Sequence, residues 1–202
     1  MRLLIKDLEK KLGKKIKTNY FSVGVDTATH TGIGFIKTTS TEIDINWSLI
    51  HFEANSIQQL YKQMYEEFGN YIDKSVHICV VEDVYLGMNP DVTIKLARFG
   101  ALAMVQAINN NVHFVTINAR SARAKLFKLD TKKYKGKTKV AVKDYLTSIG
   151  IDINEDNCAD GVILALLGII EGMDFRSNVD IAKDKKKLKT KAKIKKSVRK
   201  RK

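Results

Sequence analysis

The chain lacks any long apolar run. No stretch of its 202 residues approaches the roughly 18 consecutive apolar residues of a membrane span, and its first residues lack the basic-then-apolar pattern of a secretion signal. No membrane partner is expected. Cysteine is scarce: Cys79 and Cys158 stand alone, with no CxxC pair. That spacing excludes a disulfide framework and a zinc finger, and suits reduced thiols in a cytosol-like compartment. The four histidines, His30, His51, His77 and His113, show no metal-ligand spacing. Proline occurs once, at Pro90, so little interrupts the periodic segments. No small-molecule cofactor is expected.

What is abundant is positive charge, +14 over the whole chain. It is unevenly spread. Residues 183–202 carry 13 Lys/Arg against one Asp, and residues 1–19 carry seven against two acids. Residues 20–182 are left with 16 bases and 19 acids, and nine of those bases fall in Ala119–Lys139. A basic stripe beside an acid-rich remainder suits a polyanion held over a cation site. Three segments follow: a basic amphipathic extension over 1–19, a globular domain over 20–176, and a lysine-rich tail over 177–202 with too little apolar surface to fold alone.

In the extension, Leu4, Leu8, Leu12 and Ile16 lie four apart among lysines, a helical pattern expected to dock on the domain. Strands are predicted at Tyr20–Asp26, Gly32–Thr38 and Glu42–Phe52, then a helix over Ser56–Ile72 with Ser56 as its cap. Val76–Val84 is almost continuously apolar, as a central strand covered on both faces would be. Asn89-Pro90-Asp91 is a strong helix start, and that helix runs to about Asn109. Its apolar residues spread beyond one face, so it needs two partners. One is the sheet; the other is the same helix of a second subunit, or else deeper burial within one chain. Val112–Ile117 is another strand, Val140–Ile149 and Cys158–Ile170 the last helices. The alternation gives an α/β fold with a sheet of about five strands.

Two of these strands finish on acids, Asp26 and Glu82, and the last helix carries Asp160 in its first turn, just after Asp156 and Asn157. A carboxylate ending a buried strand is costly unless a positive partner holds it. Carboxylate oxygens without imidazole or thiolate suit Mg²⁺ or Mn²⁺ better than zinc. Two such ions can activate a water and stabilise the departing oxygen of a phosphodiester.

Asp26…Thr31-Gly32, Val81-Glu82-Asp83-Val84-Tyr85, the helix after Asn89-Pro90, and Ala159-Asp160-Gly161 together resemble the RuvC-type Holliday junction resolvases of the ribonuclease H-like nuclease superfamily, over about Phe21–Gly172. The resemblance implies a mixed five-stranded sheet flanked by helices. It implies a homodimer through the helix at about 90–109 that resolves four-way DNA by paired symmetric nicks, with two Mg²⁺ ions per site. Asp26, Glu82 and Asp160 are then catalytic metal ligands. The family places an Asp or His three residues before the last acid; here Asn157 stands there, with Asp156 one residue earlier as the alternative fourth ligand. Tyr85 matches an aromatic that stacks on bases, and Arg120, Arg123 and Lys137 match basic positions of a DNA-facing loop. Lys125 and Lys139 join them on charge alone. Rival expectations are a related nuclease for flaps, forks or RNA-containing hybrids, and a junction-binding protein that does not cut. A kinase-like ATPase fold would need a second domain for which the chain has no room. The composition and both extensions suit the cytoplasm of a bacterium or phage-infected cell; organelles and large viruses also use the family.

Overall fold

A computed structural model describes residues 1–84, 89–127 and 133–175. Among them six strands form one sheet: β1 (Arg2–Leu4), β2 (Phe21–Asp26), β3 (His30–Thr38), β4 (Glu42–His51), β5 (Ile78–Glu82) and β6 (His113–Ile117). Their spatial order is β1-β4-β3-β2-β5-β6. The pairs β1–β4, β4–β3 and β3–β2 are antiparallel, whereas β2–β5 and β5–β6 are parallel. The helices are α1 (Ile5–Leu12), α2 (Ile57–Tyr71), α3 (Pro90–Asn109), α4 (Ala119–Leu126), α5 (Thr138–Ser148) and α6 (Asp156–Ile169).

Strand alternation divides the core into two layers. Val23, Val25, Ile33, Cys79 and Val81 face α2 and α3. Ile36, Ile43, Ile45, Ile78 and Val80 face the layer that holds α1, α4, α5 and α6. The central helix is α6, apolar all round and buried from Cys158 to Ile169 except at Asp160. It lies almost on the backbone of β2 and β3. A Cβ on Gly24 would stand 2.2 Å from the Gly161 carbonyl oxygen, one on Gly32 2.0 Å from that of Asn157, and one on Gly34 2.6 Å from Val162 Cα. Only glycine permits this approach.

The extension differs from the single helix predicted for it. Its first residues form β1 on the outer edge of β4, which gives the sheet six strands in place of about five. The amino terminus donates to the Ile45 carbonyl at 2.7 Å, and Leu4 is 53% exposed. The helical stripe starts one residue later, with Ile5, Leu8 and Leu12 buried. Gly13, at φ 62°, ends α1, and Ile16 then bridges to Ile170 beyond α6. A free strand edge offers main-chain partners that a four-residue apolar period does not reveal.

A second difference lies in the basic stretch, where Arg120, Arg123 and Lys125 stand on a helix, α4, in place of a loop. Asn118 caps it by accepting from the Ser121 N–H, and Ala122 and Leu126 bury its inner side. The proposed tail over 177–202 lies outside the described residues, as does Tyr85. No helix among the described residues is long and apolar enough to cross a membrane.

Gly34→Ala is expected to destabilise the protein by about 1–3 kcal/mol in urea unfolding, because the methyl group overlaps α6 backbone. Gly100→Ala in α3, where the nearest atom would be 3.6 Å away, should be neutral or stabilising by up to about 1 kcal/mol.

Candidate active site

Because β2 and β5 are parallel neighbours with Val25 opposite Val81, Asp26 and Glu82 end side by side at one edge of the sheet. The glycine contact sets α6 across β2 and β3, so that Asp160, one turn into the helix, reaches the same edge. All three line a single cleft. Asp26 is only 9% exposed. Burial, a hydrogen bond shared with Glu82, and the charges of Glu82 and Asp160 push its carboxyl up to about 10, against a smaller pull from Lys139. Without a cation Asp26 therefore keeps its proton well above the usual carboxylate range.

Asp160 has found another partner. Arg123 donates through Nη2 to both carboxylate oxygens at 2.8 Å and through Nε to one at 3.2 Å. Burial raises the Asp160 carboxyl, and the guanidinium opposes that rise without cancelling it. With Asp160 turned to Arg123, no three His, Cys, Asp or Glu side chains among the described residues already form a metal-holding cluster. The donor set nevertheless fits a hard divalent cation: three carboxylates open on one cleft, and the most buried of them keeps a proton that a cation would replace.

The two candidates for a fourth ligand separate. Asn157 lines the cleft, with its amide nitrogen donating to the His30 carbonyl at 2.6 Å. That contact pins the start of α6 to the beginning of β3 and leaves Oδ1 as its coordinating atom. Asp156 turns to α5, where Lys143 lies at 2.7 Å and Lys139 at 3.4 Å. The hydrogen bond from Lys143 leads the effects that hold its carboxyl below the usual range.

Among the basic candidates, Arg120 and Lys139 line the cleft with Arg123. Lys137 is exposed at the cap of α5. Lys125, on α4, faces a different groove, shared with Lys14 and Lys15. Tyr85, like Lys128 and Lys132, lies outside the described residues. Sequence reasoning missed Asp83, a fourth carboxylate on the cleft, and Asn118, which both caps α4 and lines the cleft. Adjacency to Glu82 was the available signal for the first. The second had only its position at the end of a strand.

Residues 22–167 match the model of the crossover junction endodeoxyribonuclease RuvC. The chain belongs to the RuvC family. A Thermus thermophilus RuvC structure in complex with a Holliday junction substrate superposes with a TM-score of 0.58 at 12% identity, covering 73% of this chain and 90% of that one. Another structure of Thermus thermophilus RuvC gives 0.55 at 13% identity, covering 74% and 98%. The yeast mitochondrial Holliday junction resolvase gives 0.50 at 13%, covering 78% and 81%. No curated protein matches the sequence. At these identities the structures establish the ribonuclease H-like fold. The RuvC match stops short of β1, α1 and the segment after α6.

The raised Asp26 carboxyl has a measurable sign. Its proton is kept by the folded chain and lost by the unfolded one between the ordinary Asp value and about 10, so its contribution to stability falls as pH rises through that window. In chelator, Asp26→Asn should stabilise the protein at pH 8 by about 1–2 kcal/mol and flatten the decline in melting temperature between pH 5 and pH 8.

Proposed function

We propose that the chain is an endonuclease that resolves four-way DNA junctions by phosphodiester hydrolysis. The observation that carries this reading is the meeting of Asp26, Glu82 and Asp160 in one cleft of a RuvC-family domain, with Arg120 and Lys139 beside them. Asp26, Glu82 and Asp160 would hold two Mg²⁺ ions, or Mn²⁺ in their place, with Asn157 as the neutral fourth ligand. When bound, the ions supply an activated water and charge stabilisation for the departing oxygen. Arg120 and Lys139 draw the scissile phosphate toward the acids. Arg123 holds Asp160 in place until that carboxylate is needed. Asn157 fixes the beginning of α6, and with it the direction of Asp160.

Paired symmetric nicks require two such clefts related by a twofold axis. The outer side of α3 supports a homodimer there: Ile94, Val105 and Ile108 share one face and are 41–57% exposed, a row of bare branched side chains on one helix. The expected setting is the cytoplasm of a bacterial or phage-infected cell.

The hold of Arg123 on Asp160 favours a second reading, in which the chain binds junctions without cutting them. Asp26→Asn and Glu82→Gln decide between the two. Under the nuclease reading each lowers the cleavage rate of a synthetic four-way junction in Mg²⁺ by at least about 100-fold, roughly 3 kcal/mol in barrier height, while binding changes only a few-fold. Wild-type protein that binds the junction tightly but leaves it intact in both Mg²⁺ and Mn²⁺ establishes the second reading. Sedimentation tests the dimer: Ile94→Glu with Ile108→Glu should convert it to monomer and replace paired nicks by uncoordinated ones.

A further inference from the structure

The extension is mounted on the domain at three places. At one end β1 pairs with β4, and the Ile5 N–H donates to the Thr41 carbonyl at 2.8 Å. In the middle Ile5, Leu8 and Leu12 enter the core. At the other end Lys17 N–H donates to the Ile169 carbonyl at 2.7 Å and Glu171 N–H to the Lys15 carbonyl at 3.0 Å. This is a rigid mounting, and it presents lysines outward. Lys6, Lys10, Lys14 and Lys15 line one groove along α1, and Lys14 and Lys15 line a second with Lys125.

The arrangement is unfavourable for the protein alone. Lys6 occupies the first turn of α1, where the helix dipole disfavours a cation. Lys6 and Lys10 are four apart, where like charges repel. Neither they nor Lys14 form an ion pair with another described residue. The acids nearby offset the row only in part: Glu9 pairs with Lys15 and accepts from the Ile16 N–H, and Glu171 and Asp174 line the second groove beside Lys14, Lys15 and Lys125.

This row joins the active cleft through α4. Arg120 and Arg123 of that helix line the cleft, and Lys125 continues it to the lysine groove. The clasp that mounts the row is at the far end of α6, ten residues past Asp160, or roughly 15 Å along the helix axis. In duplex DNA that distance is about four base pairs.

We infer that Lys6, Lys10, Lys14, Lys15 and Lys125 form a second DNA contact, a fixed ridge that holds the sugar-phosphate backbone of one duplex arm about four base pairs from the reacting phosphate. The choice of arm as occupant rests on the nuclease reading; the ridge itself rests on charge and mounting. Such contacts position a duplex without reading its sequence.

The test uses the full chain and a synthetic four-way junction. Lys6→Gln, Lys10→Gln and Lys14→Gln together should make the dependence of log affinity on log salt shallower by about 2–3, from three phosphates at roughly 0.9 each. Hydroxyl-radical protection should disappear about four base pairs along one arm. The melting temperature should hold or rise slightly, because the substitutions relieve the repulsion along α1. Lys62→Gln with Lys74→Gln, on the other layer, should leave the salt dependence as it was. An unchanged slope in the triple variant, or an equal change in the control, overturns the ridge, including the case in which an acidic protein is its true partner. Wild-type protein that cuts no branched DNA but loses slope in the triple variant overturns the nuclease reading and retains the ridge. Cutting with an unchanged slope does the reverse.

Discussion

How closely α6 can lie on β2 and β3 governs the acid end of the molecule. With ordinary side chains at Gly24, Gly32 and Gly34, helix and sheet would sit several ångströms further apart. Asp160 would then leave the edge where Asp26 and Glu82 end. The glycines are spaced so that the helix backbone meets both strands of the hairpin, and Gly161 supplies the matching gap on the helix, where a Cβ would lie 2.8 Å from the Gly32 carbonyl. Burial of α6 between Cys158 and Ile169 then holds the contact shut. Fold stability and site geometry thus share one set of atoms.

The acids brought together in this way must be neutralised. Without an added cation two internal devices serve: a proton kept on Asp26, and the Arg123 guanidinium on Asp160. Each is a one-charge substitute, and each stands where a hard divalent ion would act on the same oxygens. The lysines of α5 complete the pattern by drawing Asp156 away from the cleft. Asn157 is left near the acids as a ligand that adds no further negative charge.

The sequence made the strand ends readable because their signals are local. Val76–Val84 has the composition of a covered strand, and Asn89-Pro90 can hardly be anything but a helix start. Asp26, Glu82 and Asp160 could be paired because a parallel neighbour and a helix start return the chain to the same edge. Other features depend on partners distant in sequence. β1 exists because β4 had a free edge, so Leu4 satisfied the helical period and still went to a strand. Arg123 looked like a surface base until α4 turned it onto Asp160, a contact between residues 37 positions apart. The destination of Asp156 depended in the same way on where α5 packs.

The bridge between Ile16 and Ile170 also bears on the order of folding. Each long-range anchor of the first 17 residues lies elsewhere in the chain: Thr41 and Ile45 at one end, Ile169 and Glu171 at the other. The second pair closes a loop of about 150 residues, among the most entropically demanding contacts in the molecule. A helix as short as α1 does not persist in water without tertiary support. Lys15, Ile16 and Lys17 are therefore among the last residues to be fixed, and the completed C-terminal end of α6 is what fixes them.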